Sequence, residues 1–269
     1  MLSPYMSPVE RAWYYALRIL CALVLLFLIV PVLVIVPLSF NSGSFLVYPL
    51  QGFSLRWYEA LFTSADWMRS LKNSLLIAPA ATLLAVVLGT LAAVGLTRAE
   101  FRGKALLMTV LISPMVVPVV IIGVASYLFF APLGMGNSYL SLILVHAVLG
   151  VPFVIITVSA TLQGFNYNLV RAAASLGASP LTAFFRVTLP LIAPALAAGG
   201  ALSWARALGE FGATITFAGN LPGTTQTMPL AVYLALQNNP DAAIALSLVM
   251  LAISLVVLVG LRSHWFPSR

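Results

Sequence analysis

Two opposite charges lie inside the fifth long apolar run of the sequence, and no other residues in it are as well suited to chemistry. Arg206 and Glu210 are four residues apart, so a helix would place them on one face, where they can pair. Charged side chains within a membrane segment normally face the interior of a helix bundle or a water-filled cavity. We therefore place Arg206, Glu210 and the neighbouring Thr214 on a substrate pathway. The alternative is a salt bridge that only holds helices together.

The remaining reactive side chains do not form a known catalytic or metal-binding motif. The two histidines, His146 and His264, are far apart, and no His-Glu-x-x-His sequence occurs. Gly103 and Lys104 are followed by alanine rather than serine or threonine, so they do not form a phosphate-binding Walker A loop. The six acidic residues are scattered. We expect no catalytic residue, no metal site and no cofactor in this chain.

His146 and Cys21 each lie inside an apolar run. A proton relay through His146 is one interpretation. A hydrogen bond between packed helices is favoured, because no acidic residue is an evident partner. Cys21 is the single cysteine, which excludes an intramolecular disulfide, and a lone buried thiol behaves as a small apolar group.

The composition is typical of a protein surrounded by lipid. Hydrophobic residues make up 62% of the 269 residues and charged residues 7%, with a mean hydropathy of +1.08. A soluble domain carries about 25% charged residues, because its surface faces water. The net charge of +7 does not indicate nucleic-acid binding, because no patch interleaves basic and aromatic residues. We predict one all-α transmembrane domain over residues 1–269, in contact with membrane lipid.

Six apolar segments are long enough to cross a bilayer as helices, which needs about 20 residues each. They are predicted at residues 17–39, 74–97, 105–131, 138–162, 191–218 and 241–261. The first is longer than the apolar part of a signal peptide and no Ala-x-Ala-like site follows it, so we expect it to remain as a span. With the N-terminus inside, the cytoplasmic segments hold nine Lys and Arg residues and the outer segments three. Both termini are therefore expected in the cytoplasm, in a multi-pass protein of the inner (plasma) membrane.

Proline and glycine fall inside two of these segments. Pro114 and Pro118 should break the third segment, and Gly150 with Pro152 should break the fourth. A broken helix frees backbone groups, which is tolerated where they pack on neighbouring helices or line a cavity. We therefore add Pro114 and Pro118 to the candidate pathway, with simple kinking as the alternative. In the long outer loop at 40–73, residues 52–58 could form a short amphipathic helix.

The loop predicted at residues 163–190 carries the most specific pattern. It reads Arg171-Ala172-Ala173-Ala174-Ser175-Leu176-Gly177, then nine residues, then Val187-Thr188-Leu189-Pro190. Leu169, Ala172, Ala173, Leu176 and Gly177 recur on related faces of a helix, which predicts an amphipathic helical segment. The loop resembles the EAA loop of binding-protein-dependent ABC importer permeases: E-A-A, three residues, G, nine residues, I-x-L-P. The residues that match in identity and spacing are Ala172, Ala173, Gly177, Leu189 and Pro190, and Val187 is a conservative match.

The resemblance implies the membrane subunit of an ABC importer, with about six helices in the type I architecture. It implies a separate ATPase that binds ATP and Mg²⁺ and docks on this loop, and a soluble receptor outside. It also implies a second permease, either another copy or a sister chain. Small residues let the short helix seat closely, Gly177 turns the chain, and Pro190 starts the next membrane helix. Arg171 stands where the family has glutamate, so either the ATPase offers an acidic contact or the position is tolerant.

Two branches of that family resemble different parts of this chain. The stretch Trp204–Thr214 and the following Phe217–Leu230 are similar to molybdate and sulfate permeases, over about the last 70 residues. About 195 preceding residues, including Gly52–Tyr58 and Arg171–Pro180, are more similar to spermidine/putrescine permeases.

The charges favour one substrate class. The polyamine permeases carry Asp-Glu where this chain has Gly209-Glu210, and they lack an arginine matching Arg206. A polyamine is stabilised by acids along its path, whereas an oxyanion prefers arginine, amides and helix N-termini. We therefore favour a molybdate- or sulfate-like oxyanion, with a polyamine as the alternative. An ion-gradient-driven secondary transporter is the alternative from another class, and it would not require the EAA-like loop.

Overall fold

The computed structural model describes residues 7–43 and 48–265, and the regular structure in these two ranges is helical throughout. The helices are α1 (Pro8–Leu38), α2 (Arg56–Thr63), α3 (Ala65–Arg98), α4 (Lys104–Ile112), α5 (Val119–Phe130), α6 (Tyr139–Gln163), α7 (Asn168–Ser175), α8 (Pro180–Ala183), α9 (Leu189–Leu208), α10 (Gly212–Ala218), α11 (Met228–Asn238) and α12 (Pro240–Trp265). Within the described ranges five helices are long and apolar enough to cross a membrane, or six if α4 and α5 form one bent span. The predicted all-α membrane protein is confirmed. Both chain termini and the side chain of His264 fall outside the part that the structure describes.

Helix α1 begins earlier than residue 17, where the first span was predicted. The Ser7 hydroxyl accepts a hydrogen bond from the Glu10 backbone N–H, and the Glu10 carboxylate accepts one from the Ser7 N–H, which forms a capping box before Pro8. Leu38 is the buried residue of this helix. Cys21, which we expected to be buried, is exposed on it. An apolar helix with this exposure requires lipid or another subunit around it.

Helices α3, α6 and α9 pack together as the centre of the described fold. Helix α6 runs unbroken, so the predicted break at Gly150 and Pro152 is wrong. Gly150 instead allows close packing, because a Cβ at this position would clash with the Ser203 Oγ of α9. Gly89 of α3 has the same role against α6, where its Cβ would lie 2.7 Å from the Val154 Cβ.

The third predicted span is bent sharply. A 3-10 turn at Ser113–Met115 ends α4, and Pro118 immediately precedes α5. The two helices meet at 101°, so residues 105–131 do not form one straight span. Pro118 lacks a backbone N–H and disfavours helical backbone at the residue before it, which explains the break at this position.

The fifth predicted span, 191–218, is displaced along the chain. The observed membrane helix extends from Pro180 to Leu208, and it includes a π-helical turn at Phe184–Thr188 between α8 and α9. Pro190 lies in the first turn of α9, as predicted, but the membrane helix as a whole begins earlier, at Pro180. The π turn lies just before Pro190, where the wider backbone accommodates the missing N–H and the proline ring. Residues after Leu208 form the separate helix α10.

The predicted outer loop contains more helix than expected. Helix α3 begins at Ala65, where the Ser64 hydroxyl accepts from the Trp67 N–H, so the end of the 40–73 loop is helical. The short amphipathic helix lies at Arg56–Thr63 rather than at residues 52–58. Helix α11 lies between the fifth and sixth predicted spans and was not predicted.

Candidate functional site

Helix α7 is the short helix expected in the EAA-like loop. It ends in a Schellman arrangement, in which the Ala178 N–H donates to the Ala173 carbonyl at 3.0 Å and the Gly177 N–H donates to the Ala174 carbonyl at 2.9 Å. Gly177 has a φ of +86°, a conformation that favours glycine because it lacks a Cβ. The sequence position of Gly177 thus coincides with the turn that ends the helix.

The surface of α7 is open to a partner. Arg171 and Ala172 are exposed and Ala173 is half-buried, while Leu176 at the helix end is 89% exposed. Exposed apolar residues on a short polar helix are typical of a protein–protein contact. The π turn packs against α7, so the two halves of the EAA-like pattern lie together. The residues of the second half are Val187 in that turn and Leu189 and Pro190 at the start of α9.

Arg206 and Glu210 form the ion pair that their spacing predicted. Helix α9 ends at Leu208, so Glu210 lies just beyond the helix rather than on its face. Its second carboxylate oxygen accepts the Ala213 backbone N–H at 2.6 Å, in the first turn of α10. The side chain of Glu210 is 1% exposed and that of Arg206 is 30% exposed. Glu210 therefore joins two helices at a break, and Arg206 is the accessible member of the pair.

The two broken segments of the chain meet at their breaks. A Cβ on Gly212 would lie 2.7 Å from the Cγ1 of Val119, the residue that follows Pro118. Farther along, a Cβ on Gly123 of α5 would lie 3.0 Å from the Ala213 carbonyl. The candidate pathway residues Glu210 and Pro118 are thus brought close through their sequence neighbours. Pro118 is exposed at the bend, and Pro114 is half-buried in the 3-10 turn.

Thr214, which we assigned to the candidate pathway, forms a contact between two helices. It is fully buried, and its hydroxyl hydrogen-bonds the Nε2 of His146 at 2.9 Å. This contact joins α6 to α10 and is the interhelical hydrogen bond expected for His146. The sequence could not identify Thr214 as its partner, since the two residues are 68 positions apart.

Sequence reasoning missed a polar network that fixes the segment before α11. The Asn73 amide donates to the carbonyls of Thr224 at 2.9 Å and Gln226 at 2.7 Å, and its oxygen accepts the Tyr139 hydroxyl at 2.8 Å. The Ser70 hydroxyl donates to the Gln226 side-chain oxygen at 2.8 Å. A signal was present, because polar residues three and four positions apart mark one polar face of α3.

Family and sequence comparisons agree on the class of protein. Residues 85–264 match the family model described as the inner membrane component of a binding-protein-dependent transport system. A molybdenum transport system permease of Mycobacterium tuberculosis is 37% identical over 238 residues, covering 82% of this chain and 89% of that one. A spermidine/putrescine transport system permease of Escherichia coli is 30% identical over 236 residues, covering 87% and 88%. Both likenesses extend beyond the parts of the chain that first suggested them.

Solved structures show the same fold. A bacterial ABC transporter that imports the acidic polysaccharide alginate has a chain matching with a TM-score of 0.72, at 18% identity and 96% coverage of both chains. An alginate transporter in complex with a periplasmic protein that carries an alginate pentasaccharide matches equally well, with 94% coverage of both chains. The chain described here belongs to the family of binding-protein-dependent transport system inner membrane components. It is a multi-pass inner-membrane protein and a permease subunit of an ABC importer.

Proposed function

We propose that this chain forms the translocation pathway of an ABC importer for a molybdate- or sulfate-like oxyanion, and that Arg206 contacts the anion. The main support for this proposal is that the two side chains of the Arg206–Glu210 pair differ in exposure. Arginine is the member that a solute can reach, because its side chain is 30% exposed and that of Glu210 is 1% exposed.

The chemistry of the pair suits an anion. A guanidinium has five N–H donors, and the bond to Glu210 is made by one nitrogen, so donors remain for an oxyanion. Because Glu210 balances the charge of Arg206, an anion would be bound weakly. Weak binding suits a pathway, since the solute must leave as readily as it enters.

A polyamine is the second candidate, supported by the likeness to the spermidine/putrescine permease. A polyamine would need an accessible carboxylate in the pathway. Glu210 does not offer one, because its two oxygens bond Arg206 and the Ala213 N–H. The oxyanion is therefore preferred, and the molybdenum permeases of higher identity support the same choice.

The proposed importer includes three kinds of partner subunit. A separate ATPase binds ATP and Mg²⁺ and docks on α7 through the EAA-like residues. A second permease, another copy or a sister chain, completes the pathway, and an extracytoplasmic receptor delivers the solute. Both termini lie in the cytoplasm. ATP binding and hydrolysis move α7 and so shift the permease between two states. Because the chain belongs to the family of binding-protein-dependent transport system components, an ion-gradient-driven transporter is not proposed.

Transport in proteoliposomes tests this proposal. The permease is reconstituted with its ATPase, its sister chain where one exists and its receptor, and uptake of labelled molybdate, sulfate and putrescine is measured with and without ATP. We expect ATP-dependent oxyanion uptake that falls at least about tenfold in Arg206→Ala and partly recovers in Arg206→Lys, which keeps the charge. Unchanged oxyanion uptake in Arg206→Ala, or putrescine uptake abolished by Glu210→Gln, would overturn the substrate. Uptake that persists without ATP would overturn the coupling.

A further inference from the structure

We propose that a carboxylate of the partner ATPase binds between Arg98 and Arg171, in an open cleft beside α7. This inference rests on the proposed function, because it takes α7 as the helix on which the ATPase docks. It adds the chemistry of that contact, which the family pattern does not supply where arginine replaces glutamate.

The cleft lies between the end of α3 and the first half of α7 and has a volume of about 400 Å³. Thr97 and Arg98 line it from α3, and Tyr167, Val170 and Arg171 line it from the segment that leads into α7. The Arg98 guanidinium carbon lies 5.4 Å from the centre of the Tyr167 ring, within the range of a cation–π contact. Tyr167 therefore holds one of the two arginines at the cleft.

Neither arginine has a carboxylate partner in the described part of the chain. The ion pair found there within 4.0 Å is that between Arg206 and Glu210. Arg98 and Arg171 are both exposed, and they place two positive charges on one small cleft. Like charges in one cleft repel, and a bound carboxylate would remove that repulsion.

A partner docked on α7 would lie beside the arginine cleft. Leu169 and Leu176, at the two ends of the helix, are 45% and 89% exposed and are apolar surface for such a partner. Arg171 is two residues from Leu169, so it projects from a different face of α7, and it lines the cleft with Arg98 of α3. Burying an arginine without an opposite charge is costly, whereas a paired carboxylate offsets that cost. A partner segment that fills the cleft is therefore expected to carry an acidic side chain there, which both guanidinium groups can bind.

Zero-length crosslinking tests this pairing directly. The permease variant Arg171→Lys is assembled with the ATPase, and a carbodiimide joins the new amine to any carboxylate in contact with it. We expect a permease–ATPase crosslink that mass spectrometry assigns to one Asp or Glu of the ATPase. Arg102→Lys is the matched control, because Arg102 is exposed on a neighbouring loop outside the cleft and should give no such crosslink.

Charge reversal gives an independent measurement. We expect Arg171→Glu to weaken ATPase association about tenfold at low salt, with a smaller effect at high salt because charges in contact with solvent are screened. Reversal of the crosslinked acid in the ATPase to lysine should restore association with Arg171→Glu.

A complex that forms normally with Arg171→Glu, together with no crosslink from Arg171→Lys, would overturn this inference and leave the docking role of α7 in place. Anionic lipid that co-purifies with the native chain and is lost from an Arg98→Ala, Arg171→Ala double variant, with ATPase association unchanged, would also overturn it. If the native chain does not retain an ATPase at all, the proposed function itself fails.

Discussion

Gly212 lies against Val119 so closely that a Cβ placed on the glycine would come within 2.7 Å of the valine Cγ1. Gly212 begins α10 and Val119 begins α5, so the contact joins two helices that each follow a break in a membrane segment. Packed interiors do not deform continuously, and an added methyl group must displace one of the two helix starts. The position of Glu210, two residues before Gly212, depends on the same contact.

Substitution of Gly212 by alanine should therefore displace the junction of the two broken segments. We expect Gly212→Ala to lower the free energy of unfolding by about 1–3 kcal/mol, the usual cost of overpacking, and to reduce uptake more than this loss explains. Thermal unfolding in detergent and uptake in proteoliposomes measure the two effects.

A second substitution makes this prediction specific to the contact. Because Val119 is the nearest neighbour, Val119→Ala should restore much of the stability and uptake in the Gly212→Ala background. Gly95→Ala is the matched control, since a Cβ on this helical glycine meets no atom within 4 Å. A double variant as defective as Gly212→Ala alone would show that this contact is not the cause.

Glu210 should stabilise the fold through both the ion pair with Arg206 and the hydrogen bond from the Ala213 N–H. Glu210→Gln keeps an acceptor for the Ala213 N–H and loses the ion pair, whereas Glu210→Ala loses both. We expect Glu210→Ala to cost about 1–3 kcal/mol and Glu210→Gln to cost less. The midpoint of thermal unfolding orders the two variants, and equal midpoints would contradict the role of the Ala213 bond.

Arg206→Ala should be more destabilising than the double variant Arg206→Ala, Glu210→Gln. The single variant leaves a buried carboxylate without its cation, and the double variant removes that charge as well. Because the side chain of Arg206 is 30% exposed, the cost should lie below the roughly 3–5 kcal/mol of a fully buried broken pair. This comparison also separates an uptake defect from a folding defect in the proposed oxyanion site.

Gly177→Trp should leave the permease inserted and inactive. Because Gly177 has a φ of +86°, any side chain there strains the backbone by about 1 kcal/mol. The bulk of tryptophan would also prevent α7 from docking on the ATPase. Gly103→Trp is the matched control, because Gly103 has a φ of +94° and, like Gly177, open space around its Cβ position. A pull-down should recover the ATPase with Gly103→Trp and not with Gly177→Trp. Equal recovery would count against α7 as the docking helix.

Asn73→Leu should release the segment at residues 220–227. The amide of Asn73 makes bonds to two carbonyls of that segment and one to the Tyr139 hydroxyl, so leucine leaves buried polar groups unpaired. We expect a loss of about 2–3 kcal/mol and faster hydrogen exchange at residues 220–227. Asn238→Leu is the control, because the exposed Asn238 bonds one carbonyl within its own helix. Unchanged exchange at residues 220–227 would contradict the prediction.

Composition and spacing predicted the features that depend on local physics. The apolar runs predicted an all-α membrane protein, the four-residue spacing of Arg206 and Glu210 predicted their ion pair, and Gly177 coincides with a left-handed helix end. Each of these is decided within a few residues of the chain, so a sequence pattern is sufficient to predict it.

The features that the sequence did not predict depend on distant packing. Gly150 was interpreted as a helix breaker because glycine weakens an isolated helix, but its role is set by Ser203 on another helix. Pro190 does lie in the first turn of α9, but the sequence did not show that a π turn joins α9 to α8, so the membrane helix begins earlier than predicted. The sequence also does not show that His146 lies beside Thr214, because the two residues are 68 positions apart. Such contacts between distant residues decide structure that local preference alone does not.

The π turn before Pro190 packs against α7 near one end of the membrane helix that carries Arg206 near its other end. From Thr188 to Arg206 the helix rises about 27 Å, at about 1.5 Å for each residue. A tilt of about 10° at the turn therefore moves the Arg206 end by about 5 Å, nearly the height of one helical turn. If an ATPase rotated α7 as proposed above, the motion would displace the charged pair relative to the neighbouring helices by about the height of one helical turn.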